Sequence, residues 1–123
     1  MTPHFTDAEL ACKCGCGMLL EPSFAEKLER LRVRYGKPLP VTSGARCPAY
    51  NDKVSGSGRN GPHTTGRATD FGVQGADALR LMDLALAEGF TGIGVNQKGA
   101  GRFIHIDDLP NATGQPRPTI WSY

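Results

Sequence analysis

Along FAEKLERLRVRYG, residues 24–36, the apolar positions Phe24, Leu28, Leu31 and Tyr35 recur at steps of four, three and four. That period puts one apolar stripe on a helix, and Glu26, Lys27, Glu29, Arg30, Arg32 and Arg34 form a solvated face opposite it. Ser23 with Glu26 offers a capping box at the start, and Gly36 followed by Pro38 supplies the stop. A second helix is predicted over GADALRLMDLALAEG, residues 75–89, bracketed by glycines with Asp77 in its first turn. Leu79, Leu81, Met82, Leu84, Ala85 and Leu86 cover more than one stripe, so this helix is expected to be the most buried, a core element without chemistry. A short helix is expected at TDAEL, residues 6–10, opened by the Thr6 and Glu9 capping box and broken by CKCGCG.

Elsewhere the pattern alternates. LPVTSG, residues 39–44, reads as a short strand that delivers Arg46 just past its end. In ATDFGV, residues 68–73, Ala68, Asp70 and Gly72 share one face and Thr69, Phe71 and Val73 the other. TGIGV, residues 91–95, and RFIHID, residues 102–107, read as two strands joined by NQKGAG, where Gly99 and Gly101 permit a hairpin. Ile104 and Ile106 face the core, leaving Phe103, His105 and Asp107 on the opposite side, while Asp108 points away as a surface carboxylate. Residues 51–61 are rich in Ser, Gly, Asn and charge and read as an exposed loop. These elements predict an α+β fold, one domain over residues 1–123 with a small antiparallel sheet packed against helices.

Composition narrows the function. A chain of 123 residues supports one core, and 16 glycines with 9 prolines point to many tight turns. Fourteen basic against twelve acidic residues, with no basic run interleaved with aromatics, argues against a nucleic-acid partner. No apolar run approaches the ~20 residues of a membrane span, so membrane insertion is not expected. MTPHFTDAEL lacks the basic and apolar segments of a secretory signal. Synthesis in the cytoplasm is the expectation, with delivery by another route if the target lies outside. His4 reads as a mobile terminal residue, and Trp121 and Tyr123 as a cover for the core edge.

The chemistry concentrates in GPHTTGRATD, residues 61–70, where six mostly small residues separate His63 from Asp70. His105 completes a His, Asp, His set. Three such ligands with a free fourth position are what a catalytic zinc requires, because the fourth position holds the water that the metal acidifies. Arg46 carries a charge that cannot be lost, on a fork suited to a carboxylate or a developing oxyanion.

The order SGARCPAYN, HTTGRATD, FIHID resembles the zinc D-alanyl-D-alanine carboxypeptidases and related peptidoglycan endopeptidases, whose fold is shared with the hedgehog signalling domain. The likeness extends from CKCGCG near the start to PTIWSY at the end and is greatest to a small, cysteine-containing, phage-type branch. It implies one catalytic zinc held by His63, Asp70 and His105, with Arg46 steadying substrate. The implied partner is a peptidoglycan stem peptide cut beside a D-amino acid by a monomeric enzyme. Action on the bacterial wall follows, as a lysin with holin-dependent release or as a peptidase carried on the phage particle. A zinc-containing wall-binding or structural module that lacks catalysis is the alternative.

Two positions depart from the family pattern. Arg102 stands where many members carry a catalytic Glu, and it cannot accept a proton; Pro62 stands where Ser is common. Asp107, two along a strand from His105, is then the expected base, and orientation of His105 is its alternative role. Cys12, Cys14, Cys16 and Cys47 permit a second, structural zinc, a disulfide framework or reduced thiols, and the sequence leaves these open.

Overall fold

A five-stranded mixed sheet in the order β1-β2-β4-β3-β5 divides the helical core from the functional face. The computed structural model describes all 123 residues. In chain order the elements are α1 (Asp7–Leu10), α2 (Pro22–Tyr35), β1 (Val41–Ser43), α3 (Pro48–Val54), a 3-10 turn (Pro62–Thr65), β2 (Ala68–Phe71), α4 (Gly75–Ala87), β3 (Gly92–Asn96), β4 (Phe103–Asp107) and β5 (Thr119–Ser122). β1, β2, β4 and β3 pair antiparallel, as expected. β5 lies parallel to β3, so the sheet is mixed and not purely antiparallel. PTIWSY carried too short an alternation, directly after prolines, to announce a strand.

On one side of the sheet, Phe71, Ile93, Ile104 and Ile106 join Phe24, Leu28, Leu31, Tyr35 and Leu81 in a single apolar cluster. Phe24 meets Phe90 edge-on at 5.8 Å between ring centres. The α2 stripe is therefore the one its period foretold. Its start is not: the helix begins at Pro22 after Glu21, and no side chain caps it. Ser23 instead accepts a hydrogen bond from Arg67 Nη1 at 2.8 Å, and proline at the first helical position needs no donor satisfied. The Thr6 and Glu9 capping box of α1 forms in full.

α4 buries a single stripe, Ala78, Leu81 and Ala85. Leu79 and Leu86 remain 69% and 58% exposed, so the expectation of an enveloped helix is corrected. α4 packs mainly against α2 and β4, and Leu79 and Leu86 lie on its outer side. The stretch expected as loop from residue 51 is also corrected, because α3 runs to Val54 and Asn51 within it is fully buried. Asp108 is no surface carboxylate: it receives Arg67 through two bonds, at 2.8 and 2.6 Å, and Lys27 at 3.1 Å. His4 is tied to Glu29, whose backbone-facing oxygen accepts the His4 N–H at 2.9 Å, so the amino-terminal segment is anchored on α2. No helix is long and apolar enough to cross a membrane.

Truncation distinguishes the buried stripe from the exposed leucines. Leu81→Ala should cost about 2–5 kcal/mol and Leu79→Ala within about 0.5 kcal/mol in urea unfolding. Equal losses would contradict the one-sided burial of α4.

Candidate metal centre

The antiparallel pairing of β2 with β4 sets Asp70 directly opposite His105. His63 comes to the same point from the 3-10 turn, after which Gly66 in the left-handed conformation (φ 75°) returns the chain into β2. One ligand atom from each of His63, Asp70 and His105 lies within 4.8 Å of the others, and all three residues are buried. The structure thus assembles the His, Asp, His set from a turn and two neighbouring strands.

The bonds behind the rings define which nitrogens face inward. His63 Nδ1 lies 2.7 Å from the Gly44 carbonyl oxygen, which can only accept, so Nδ1 carries the proton and Nε2 the lone pair. His105 Nε2 lies 2.8 Å from Asp107 Oδ2. That carboxylate also accepts Arg117 Nε at 2.9 Å and Nη2 at 2.9 Å, so it stays anionic and Nε2 donates to it. The inward atoms are then His63 Nε2, 3.2 Å from Asp70 Oδ1, and His105 Nδ1, 3.0 Å from the same oxygen. Three electron-pair donors facing one another in a buried spot repel unless a cation or protons lie between them, and this donor set fits zinc. Burial works against charge on Asp70, yet a proton on His105 or His63, donated to its carboxylate, holds that carboxyl well below the usual range. Burial likewise opposes charge on His105, but Asp107 and Asp70 raise its pKa, so the pocket draws positive charge.

Asp107 is fully buried behind His105 and is absent from the walls of the adjoining cavity, which measures about 850 Å³. The alternation of β4 does bring it to the same face as His105, as expected, but it meets the ring nitrogen remote from Asp70. There it pairs with His105 and Arg117. Asp70 is the only carboxylate lining that cavity. Arg102 stays in the hairpin, with Nε donating to the Gly99 carbonyl, and Pro62 begins the 3-10 turn.

Arg46 does line the cavity, and its fork is set from behind: Nε donates to Ser43 Oγ at 2.9 Å and Nη1 to Asn51 Oδ1 at 3.0 Å. Nη2 has only Asp70 Oδ2, 3.6 Å away. Asn51 is in turn held by its own donors to Ser57 Oγ and the Gly58 carbonyl. Trp121 lies 5.0 Å from the His105 ring and, with Tyr123, lines the cavity, so both do more than cover the core edge. Burial raises the Tyr123 phenol above its ordinary range despite its bond with Trp121, and it remains a hydrogen-bond donor at neutral pH.

Sequence reading missed Arg117, Asn51 and a pair of glycines. Gly92 stands opposite Asp107 and Gly94 opposite His105. A Cβ at Gly92 would collide with the Asp107 carboxylate, and one at Gly94 would come within 2.7 Å of Trp121 Nε1. The alternation Gly-Ile-Gly beside His-Ile-Asp was a usable signal, since glycine within a strand marks close approach. Arg117 and Asn51 had no comparable signal.

The sequence profile of the Peptidase M15 family matches residues 3–107, and the chain belongs to that family. Its members are zinc-dependent, which accords with the donor set. No curated protein matches the chain.

Asp107→Asn should weaken zinc binding about 10- to 100-fold in chelator competition, because it loosens the grip on His105. Unchanged affinity with lost turnover would restore Asp107 as the base. The pH dependence of the metal-free protein has a defined sign. Burial would raise the Asp107 carboxyl, but His105 and Arg117 hold it low. Its contribution is therefore fully present above the unfolded value of about 3.9 and is lost as pH falls through the lower folded value. Urea midpoints measured below pH ~4 should fall more steeply for the parent protein than for Asp107→Asn.

Proposed function

We propose that this peptidase hydrolyses a bond beside a D-amino acid in the stem peptides of bacterial peptidoglycan, as a carboxypeptidase or an endopeptidase. The observation that carries this reading is the convergence of His63, Asp70 and His105 in an open cavity beside Arg46, whose Nη2 meets only Asp70 Oδ2, at 3.6 Å. Zinc held by those three residues would polarise the scissile carbonyl and acidify a water molecule.

The chain's own groups supply the rest. Arg46, braced by Ser43 and Asn51, presents Nη2 to a stem-peptide carboxylate or to the oxyanion as charge develops. Tyr123, which lines the same cavity, can donate to substrate, and Trp121 packs against the His105 ring. Asp107 with Arg117 keeps the His105 Nδ1 lone pair aimed inward, a positioning role. A wall substrate lies outside the membrane, and a holin-released lysin or a virion-borne peptidase suits it, acting as a monomer.

One observation favours a second reading. Asp70 is the sole carboxylate in the cavity, and as one of the three residues that would hold the zinc it is not free to accept a proton. A wall-binding or structural module with the same zinc would need no acceptor at all.

Incubation of purified peptidoglycan separates the two. The peptidase should release muropeptide fragments, lose that activity with chelator and regain it with zinc; sedimentation with the wall without any release would support the module. Arg46→Ala should lower kcat/KM about 10²- to 10³-fold while zinc content is unchanged. Arg46→Lys should recover little, since an ammonium cannot reproduce the fork. Full activity in Arg46→Ala would remove Arg46 from the reaction.

A further inference from the structure

Away from the cavity, Cys12, Cys14, Cys16 and Cys47 gather their sulfurs within 4.8 Å of one another. None is in a disulfide. The Cys12 and Cys14 sulfurs are 3.4 Å apart and those of Cys14 and Cys47 3.6 Å, far beyond the ~2.05 Å of a covalent pair. Four thiolates around a tetrahedral zinc, each about 2.3 Å from the metal, stand about 3.8 Å from one another. The cluster already has nearly that spacing.

The backbone is folded to make it. Gly15 and Gly17 both take left-handed conformations, at φ 84° and 89°, so CKCGCG curls and turns three alternate side chains inward. The loop is closed by the Cys12 N–H donating to the Met18 carbonyl at 2.9 Å. Cys47 arrives from the segment after β1, and its N–H donates to Cys12 Sγ at 3.3 Å, while the Tyr50 N–H donates to Cys47 Sγ at 3.4 Å. N–H groups aimed at sulfur favour the thiolate form that a metal requires. Without a cation the thiols share their protons unevenly. Burial acts to raise Cys12, but the Cys14 and Cys47 backbone groups bring it to about 7, and the Cys16 and Cys12 thiols push Cys14 up to about 12.

We infer that Cys12, Cys14, Cys16 and Cys47 bind a second zinc in a closed, all-sulfur structural site that fastens the amino-terminal segment to the loop carrying Arg46. Binding releases the remaining thiol protons and involves no change of oxidation state. Four protein ligands leave no position for substrate, so the ion is structural. Its leverage comes from position. Cys47 adjoins Arg46, the Arg46 N–H donates to the His63 carbonyl at 3.1 Å, and the Gly44 carbonyl receives His63 Nδ1. One segment, residues 44–47, therefore joins the two clusters.

Native mass spectrometry and cobalt substitution of the full chain, purified with zinc and reductant, test the assignment. Two zinc ions per chain are expected in the parent, one in His63→Ala, and one in the double variant Cys14→Ser, Cys16→Ser. Cobalt in the parent and in His63→Ala should give the near-ultraviolet thiolate-to-metal band of a tetrahedral sulfur site. That spectrum needs no cysteine variant to fold. One zinc in the parent that His63→Ala abolishes, a mass two hydrogens lighter per cysteine pair, or iron in place of zinc would overturn the proposal. A thiolate band in a protein without peptidase activity would leave this site standing while the proposed function fails, and activity without the band would do the reverse.

Discussion

Asp70 Oδ1 lies 3.0 Å from His105 Nδ1 and 3.2 Å from His63 Nε2, and much of the polar structure serves to keep these three atoms aimed at one point. Such an arrangement is repulsive without positive charge at its centre, and both rings are braced from behind. The Gly44 carbonyl holds one ring, and Asp107, itself gripped by Arg117, holds the other. The strand register that sets Asp70 against His105 is fixed by the apolar face of the same strands, where Ile104 and Ile106 enter the core. A slip of one residue would bury the ligands among leucines and expose the isoleucines. Core packing and metal geometry are therefore one constraint read from two faces of a sheet.

The second organising element is the segment after β1. It supplies the carbonyl for His63, the fork of Arg46 and the sulfur of Cys47 in four residues. Asn51, fully buried in α3, braces Arg46 and ties down the loop at Ser57 and Gly58 that forms one wall of the cavity. Positioning by several converging bonds is what differential stabilisation of a transition state demands, since a misplaced donor loses most of its effect. Arg46 has the support of a positioned group, while Arg117, which also lines the cavity, directs Nε and Nη2 to Asp107.

What could be read beforehand followed from periodicity. The α2 stripe and the alternation of FIHID each give a residue's face directly, and both hold in the structure. Residue types and their order, with the family likeness, picked out His63, Asp70, His105 and Arg46, which the fold then brings together. Alternation could place Asp107 beside His105 but could not say which ring nitrogen it meets, and that detail separates a base from a brace. The polar run around Asn51 read as loop because its one buried amide leaves no trace in composition. α4 misled for the opposite reason, since leucine density says nothing about what lies on the far side. Three cysteines in CKCGCG were plain, but only the fold shows that Cys47 closes on them.

Anomalous diffraction at the zinc edge from crystals grown with zinc tests the central geometry most directly. The account predicts a peak about 2.0–2.2 Å from His63 Nε2, His105 Nδ1 and an Asp70 carboxylate oxygen, with Asp107 still on His105 Nε2. A peak bound through His105 Nε2, or none among these three residues, would contradict it.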